Sequence, residues 1–108
     1  MSKYHNRRVS LDGYTFDSAA EARRYQELRL MEAAGELRDI EVHPRFPLVV
    51  NGQNCGYYEA DFSYLPYGST VRVVEDVKSE ATRRLPVYRL KRKLIKACHG
   101  VEVMEVIA

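Results

Sequence analysis

The segment 71–78, Val-Arg-Val-Val-Glu-Asp-Val-Lys, constrains the fold more than any other stretch of the chain. Valines at 71, 73, 74 and 77 fall on both sides of the alternation a strand imposes. Such a segment is expected to be buried on both faces, as a central strand covered by helices. The same alternation turns Asp76 and Lys78 to one face and Glu75 to the other. An acid and a lysine two residues apart at the end of a buried strand are costly to place without a compensating purpose. The bland alternative is a salt-bridged pair at the sheet end. Glu75, facing away, reads as structural.

The surrounding pattern supplies the other elements. Residues 9–16 read as a short hairpin with Asp12-Gly13 as its tight turn. A helix is expected over 18–34, opened by Ser18 with Glu21 three residues on, a capping box, and closed by Gly35. Its 3.6-residue period puts Glu21, Tyr25, Leu28 and Glu32 on one stripe. Strands follow at 40–42 and 46–50, then Asn51-Gly52 turns into one aromatic-rich strand over 57–65. Pro86 suits the first turn of a second helix that runs to about Cys98 and stops at His99-Gly100, before a last strand at 101–106. The order after the hairpin is helix, strand, strand, strand, helix, strand. We expect one α/β domain over 1–108, with an arm and hairpin in 1–17 and a core in 18–106, built as a mixed sheet flanked by helices.

Length and composition agree: 108 residues with 45% hydrophobic content suit one domain with its own core. No run approaches the roughly 18 apolar residues a membrane helix needs, and residues 1–5 lack a signal-peptide core. A soluble, cytoplasmic protein with no membrane partner is expected. Cys55 and Cys98 have no metal-type spacing and read as small reduced residues; His5, His43 and His99 read as structural.

The net charge of +2 says little, but its distribution says more. Arg83, Arg84, Arg89, Lys91, Arg92, Lys93 and Lys96 occupy one stretch with no acid among them. Arg89, Arg92, Lys93 and Lys96 are expected on the outer side of the second helix, opposite Val87, Leu90, Leu94 and Cys98. Such a run can grip a polyanion, or be a plain solvated face. Lys91 falls nearer the apolar side, as a snorkelling lysine or a phosphate contact inside a cleft.

Asp61 lies in the strand expected to pair antiparallel with 71–78, which brings it near Asp76. Two carboxylates held together repel unless a proton or cation compensates them. Mg²⁺ is the usual compensator, taking carboxylates, waters and a backbone carbonyl, here that of Val77. Lys78 beside it would orient water and stabilise developing phosphorane charge. Glu21 would add a third carboxylate, unless the capping box alone explains it; Asp61 could instead cap a turn or pair with an arginine. Glu59, on the same expected strand face as Asp61, would lie outside the metal's direct ligands. The tyrosines read as core and strand filler, or as one platform for an unpaired base.

Asp61 followed by Asp76-Val77-Lys78, on adjacent strands of an αβββαβ chain, resembles the PD-(D/E)XK, restriction-endonuclease-like nuclease superfamily. Within it the chain is most similar to a small phage and prophage family of unknown function. That likeness rests on Asp12-Gly13, Phe16-Asp17-Ser18, Glu21 with Tyr25, Gly35, Ala60-Asp61-Phe62, Tyr64 and residues 74–78. The order Glu, Asp, Asp-x-Lys is also similar to phage Holliday-junction endonuclease I and to the endonuclease subunit of Tn7-type transposases. Ala60 stands where proline usually precedes the aspartate, and His43 where the family often has glutamine.

The resemblance implies a Mg²⁺-dependent DNA endonuclease, with Mn²⁺ as a possible substitute. Asp61, Asp76, the Val77 carbonyl and Glu21 would hold the metal, Lys78 would assist the attacking water, and the product would carry a 5′-phosphate. The basic residues from Arg83 to Lys96 would hold DNA phosphates without reading sequence. So small a domain has no room for a specificity module. A homodimer acting on branched or nicked DNA, with a phage replication or recombination partner, is therefore expected. Two alternatives stand beside this: a non-catalytic nucleic-acid-binding module on the same fold, and a catalytic subunit active only with a partner protein.

Overall fold

The computed structural model describes residues 7–108; residues 1–6 of the expected arm, His5 included, lie outside the described residues. Strands β1 (Val9–Leu11) and β2 (Tyr14–Phe16) form the expected hairpin. Asp12 at φ 54° and Gly13 at φ 82° both adopt the left-handed geometry that such a two-residue turn demands. Helix α1 (Ala19–Ala33) starts at Ser18, whose hydroxyl accepts the Glu21 N–H at 3.2 Å. Then come β3 (Leu37–Val42), β4 (Arg45–Val50), β5 (Gln53–Glu59), β6 (Phe62–Pro66), β7 (Val73–Lys78), the short α2 (Glu80–Arg83), α3 (Pro86–His99) and β8 (Val103–Ile107).

The main sheet has the order β3-β6-β7-β8, with β7 and β8 parallel and the other pairs antiparallel. It is the mixed sheet expected from the sequence, and β7 lies inside it. Alternation along β7 sends Val73 and Val77 toward the α1 side, into a core of Phe16, Tyr25, Leu28, Leu37, Phe62 and Tyr64. Val74 goes to the other side, with Leu48, Tyr58, Ala60, Ile95 and Val103 beneath α3. Val71, expected in this strand, lies before it and is exposed.

Three expectations are corrected. The aromatic strand 57–65 is two strands, β5 and β6, in different sheets. The break falls at Ala60-Asp61, opposite His43-Pro44, where Ala60 N–H donates to the Pro44 carbonyl at 3.0 Å and His43 N–H to the Asp61 carbonyl at 2.9 Å. β3–β4 and β5–β6 thus behave as one long antiparallel ribbon kinked at this corner. Glu59 consequently does not share a strand face with Asp61; its carboxylate pairs with Arg45 at 2.9 Å.

The third correction is the phase of α3. Ile95 is its buried residue, with Tyr88, Leu94 and Cys98 packed beside it, whereas Val87 and Leu90 are exposed. Tyr88 and Ile95, two turns apart, offer the larger continuous apolar surface to the sheet, and the helix rotates to bury them. Arg92 turns inward as a result. Among the described residues no helix is long and apolar enough to cross a membrane.

Candidate metal centre and cleft

The kinked corner carries the chemistry. Asp61 sits where the chain passes from β5 to β6, level with the end of β7. Its N–H donates to the Asp76 Oδ1 at 2.9 Å, and its Oδ2 accepts the Val77 N–H at 2.7 Å. Each aspartate therefore fixes the other through the backbone. Val77 presents its N–H, and with it the same side of its peptide backbone, to Asp61 rather than to β8. The second oxygen of Asp76, Oδ2, accepts the Tyr58 hydroxyl of β5.

Glu21 comes in from the first turn of α1, buried at 6% exposure. Ser18 caps the helix, but the Glu21 side chain does not close the expected capping box; its Oε1 lies 2.7 Å from Nε2 of His43. Ligand-capable atoms of Glu21, His43 and Asp61 all lie within 4.8 Å of one another. The sequence reading gave His43 no role beyond structure. It reaches the site because the corner residue is held at φ 55°, a turn geometry that no local pattern in the sequence signals.

The charge balance at this corner is poor. Burial, then the neighbouring Asp76 and Glu21 carboxylates, push the Asp61 carboxyl up to about 7. Burial also raises Asp76, against the opposing pull of Tyr58, Lys78 and Arg92. Tyr58 is raised by burial and by the Asp76 charge it contacts. Glu21, His43 and Asp61 form the group whose donor atoms could share a divalent cation. Asp76, expected beside them, is not in that group, since both its oxygens already accept hydrogen bonds, from Asp61 N–H and the Tyr58 hydroxyl.

Asp76 and Lys78 open onto a cleft of about 410 Å³ between β5, β7 and the start of α3. Tyr57, Tyr58 and Glu59 line one side; Leu85, Val87, Tyr88 and Lys91 line the other. The Lys78 ammonium lies 5.0 Å from the centre of the Tyr88 ring. Lys91 thus faces the same cleft as the candidate catalytic lysine. Glu75, on the opposite face of β7, is fully buried. It accepts from Arg24 at 2.7 and 3.1 Å and from the Tyr64 hydroxyl at 2.7 Å, and takes no part in the corner.

The basic run is divided. Arg83 pairs with Glu105 at 3.3 Å and Glu80 at 3.4 Å, and Arg84 with Glu80 at 3.6 Å. Arg92 pairs with Glu105 at 3.4 Å and donates to the Val103 carbonyl at 3.0 Å, while Lys96 pairs with Glu102 at 2.6 Å. The run is free of acids in sequence only, because Glu80 of α2, Glu102 just before β8 and Glu105 within it meet it in space. Arg89, Lys91 and Lys93 form no ion pair among the described residues.

Fold and corner together define an α/β domain with a carboxylate–histidine cluster at the end of a buried strand. The chain belongs to the family described as protein of unknown function, DUF1064, whose pattern it matches over residues 1–105. No curated protein and no solved structure matches it.

Proposed function

We propose that the protein is a divalent-metal-dependent DNA endonuclease of the PD-(D/E)XK type, with phage and prophage relatives, working in the cytoplasm. The observation that carries this reading is the mutual locking of Asp61 and Asp76 at the end of β7, with Glu21 beside them and Lys78 two residues on. An arrangement that raises Asp61 to about 7 is unfavourable for a structural role alone, and a bound cation relieves it.

Asp61, Asp76 and Glu21 would hold Mg²⁺ or Mn²⁺, with the Val77 carbonyl on the same side. Such an ion neutralises charge on the attacked phosphate and lowers the pKa of water. The chain's own groups do the rest. Tyr58 fixes the Asp76 rotamer through its hydroxyl. Lys78, which lines the cleft, would donate to a non-bridging phosphate oxygen as negative charge grows there. Lys91 holds the strand against the opposite wall, and Arg89 and Lys93 add backbone contacts. Branched or nicked DNA cut by a homodimer remains the favoured substrate and assembly.

A second reading has one observation in its favour. Leu85, Val87 and Leu90 are exposed at the start of α3, beside the cleft, as they would be in a catalytic subunit completed by a partner protein.

The test is cleavage of labelled four-way junction, flap, nicked and linear duplex DNA with Mg²⁺, Mn²⁺ or chelator. Wild type is run beside Asp76→Ala and Lys78→Ala. Metal-dependent cutting lost in both variants is the expected result. Folded wild type that cuts nothing, yet binds DNA in chelator, would turn the assignment to a binding module.

A further inference from the structure

We propose that His43 is itself a metal ligand, and that it makes the site select a transition ion such as Mn²⁺ over Mg²⁺. The inference rests on the nuclease reading through two of its acids, Glu21 and Asp61, and adds the identity of the metal. Nothing in an oxygen-only set would prefer Mn²⁺ strongly, whereas an imidazole nitrogen is a softer donor that transition ions accept and Mg²⁺ resists.

The geometry has three parts. His43 stands at the corner with φ 55°, a conformation uncommon outside glycine, and its N–H is tied to the Asp61 carbonyl at 2.9 Å. That backbone position carries the ring to Glu21, with Nε2 at 2.7 Å from Oε1, and sets it against Phe16 with ring centres 5.9 Å apart. Phe16 and the corner leave the imidazole little freedom, so its nitrogen is pre-positioned rather than recruited. Glu21 does not spend its carboxylate on the helix cap, and the Asp61 Oδ1 accepts no hydrogen bond from the described residues. One nitrogen and two carboxylate oxygens therefore lie within 4.8 Å of one another. A histidine serving only as a counter-charge to Glu21 would give the same short contact but would compete with a metal instead of binding it. The two roles predict opposite results.

The experiment is direct metal binding without DNA. Metal-free wild type, His43→Gln, His43→Ala and Asp61→Asn are titrated calorimetrically with MnCl₂ and MgCl₂, and Mn²⁺ complexes are examined by pulsed EPR for ¹⁴N coupling. Wild type should bind Mn²⁺ more tightly than Mg²⁺ and show imidazole coupling. His43→Gln, which keeps a polar contact to Glu21, should reduce the Mn²⁺ preference by about tenfold or more, with little change for Mg²⁺, and lose the coupling. His43→Ala should do the same. Unchanged or tighter Mn²⁺ binding in both variants, or no ¹⁴N coupling in wild type, overturns the role of His43 while leaving the carboxylate site intact. Wild type that binds neither ion overturns the metal site and the nuclease reading with it. Asp61→Asn marks that difference, because it should weaken both ions equally.

Discussion

Glu75 carries a carboxylate with no exposed surface, and three donors keep it there: two from Arg24 and one from the Tyr64 hydroxyl. The ion pair holds the Arg24 guanidinium well above its already high range, and burial followed by the Glu75 bond pushes Tyr64 up to about 12. Removing one partner of such a pair leaves an uncompensated buried charge. Arg24→Ala should therefore lose about 3–5 kcal/mol in urea unfolding. Tyr64→Phe, which removes a single donor, should lose about 1–3 kcal/mol. Tyr58→Phe makes the parallel case on the other face of β7, since Asp76 loses the hydroxyl on its Oδ2; about 1–3 kcal/mol is expected in chelator. None of these donors was legible in the sequence. Asp76 and Lys78 were, because alternation along one strand places them, and Glu21 was singled out on the stripe of α1 it shares with Tyr25; Asp61 was expected within a strand and stands instead at the corner between β5 and β6. Arg24, Tyr58 and His43 act across 51, 18 and 22 residues of separation, and nothing in local periodicity encodes those contacts.

α3 tests whether a run of like charges in sequence is one surface in space. Two of the expected phosphate-gripping residues on α3, Arg92 and Lys96, and two on or beside α2, Arg83 and Arg84, are engaged by Glu80, Glu102 and Glu105, which leaves Arg89, Lys91 and Lys93 for a polyanion. If the nuclease reading holds, Lys91→Ala and Lys93→Ala should each lower the salt slope of DNA binding by about one counterion. They should leave the melting temperature nearly unchanged. Arg92→Ala should do the reverse, lowering stability because its guanidinium holds Glu105 and the Val103 carbonyl together. DNA binding measured between low and moderate salt, beside thermal melts, separates the two groups; equal effects across all of them would favour a uniformly solvated face. The end of α3 is a cleaner matter. Gly100 sits at φ 69° with open space where a Cβ would go, so Gly100→Ala should cost about 1 kcal/mol from backbone conformation alone. The hairpin turn, the caps of α1 and the ends of α3 were readable because turn chemistry and capping are local. The phase of α3 was not, since competition between two apolar stripes is settled only by the sheet beneath. The kink dividing 57–65 escaped for the same reason: it exists where one ribbon must serve two sheets.

At the scale of the whole molecule, the corner joins α1, the bent ribbon and β7, so its charge state bears on global stability. Asp61 ionises at about 7 in the folded protein, against an ordinary value of 3.8. Its protonated form is thus favoured by folding. The contribution is complete below about pH 4 and is lost as pH rises toward and through 7. Asp76, also raised, acts with the same sign. Metal-free protein in chelator should therefore melt at a lower temperature at pH 8 than at pH 5.5. Asp61→Asn, which keeps the acceptor for Val77 N–H without the charge, should be more stable than wild type at pH 8, on the order of 2 kcal/mol once partial solvent access is allowed for. That advantage should shrink on acidification. Saturating Mn²⁺ should reverse the order at pH 8, since binding at about 100 times Kd adds roughly 2.7 kcal/mol to wild type and little to a variant missing a ligand. A flat melting profile with pH, together with an Asp61→Asn variant no more stable than wild type in chelator, would mean the carboxylates do not repel one another. The electrostatic reason for a cation at this corner would then be gone.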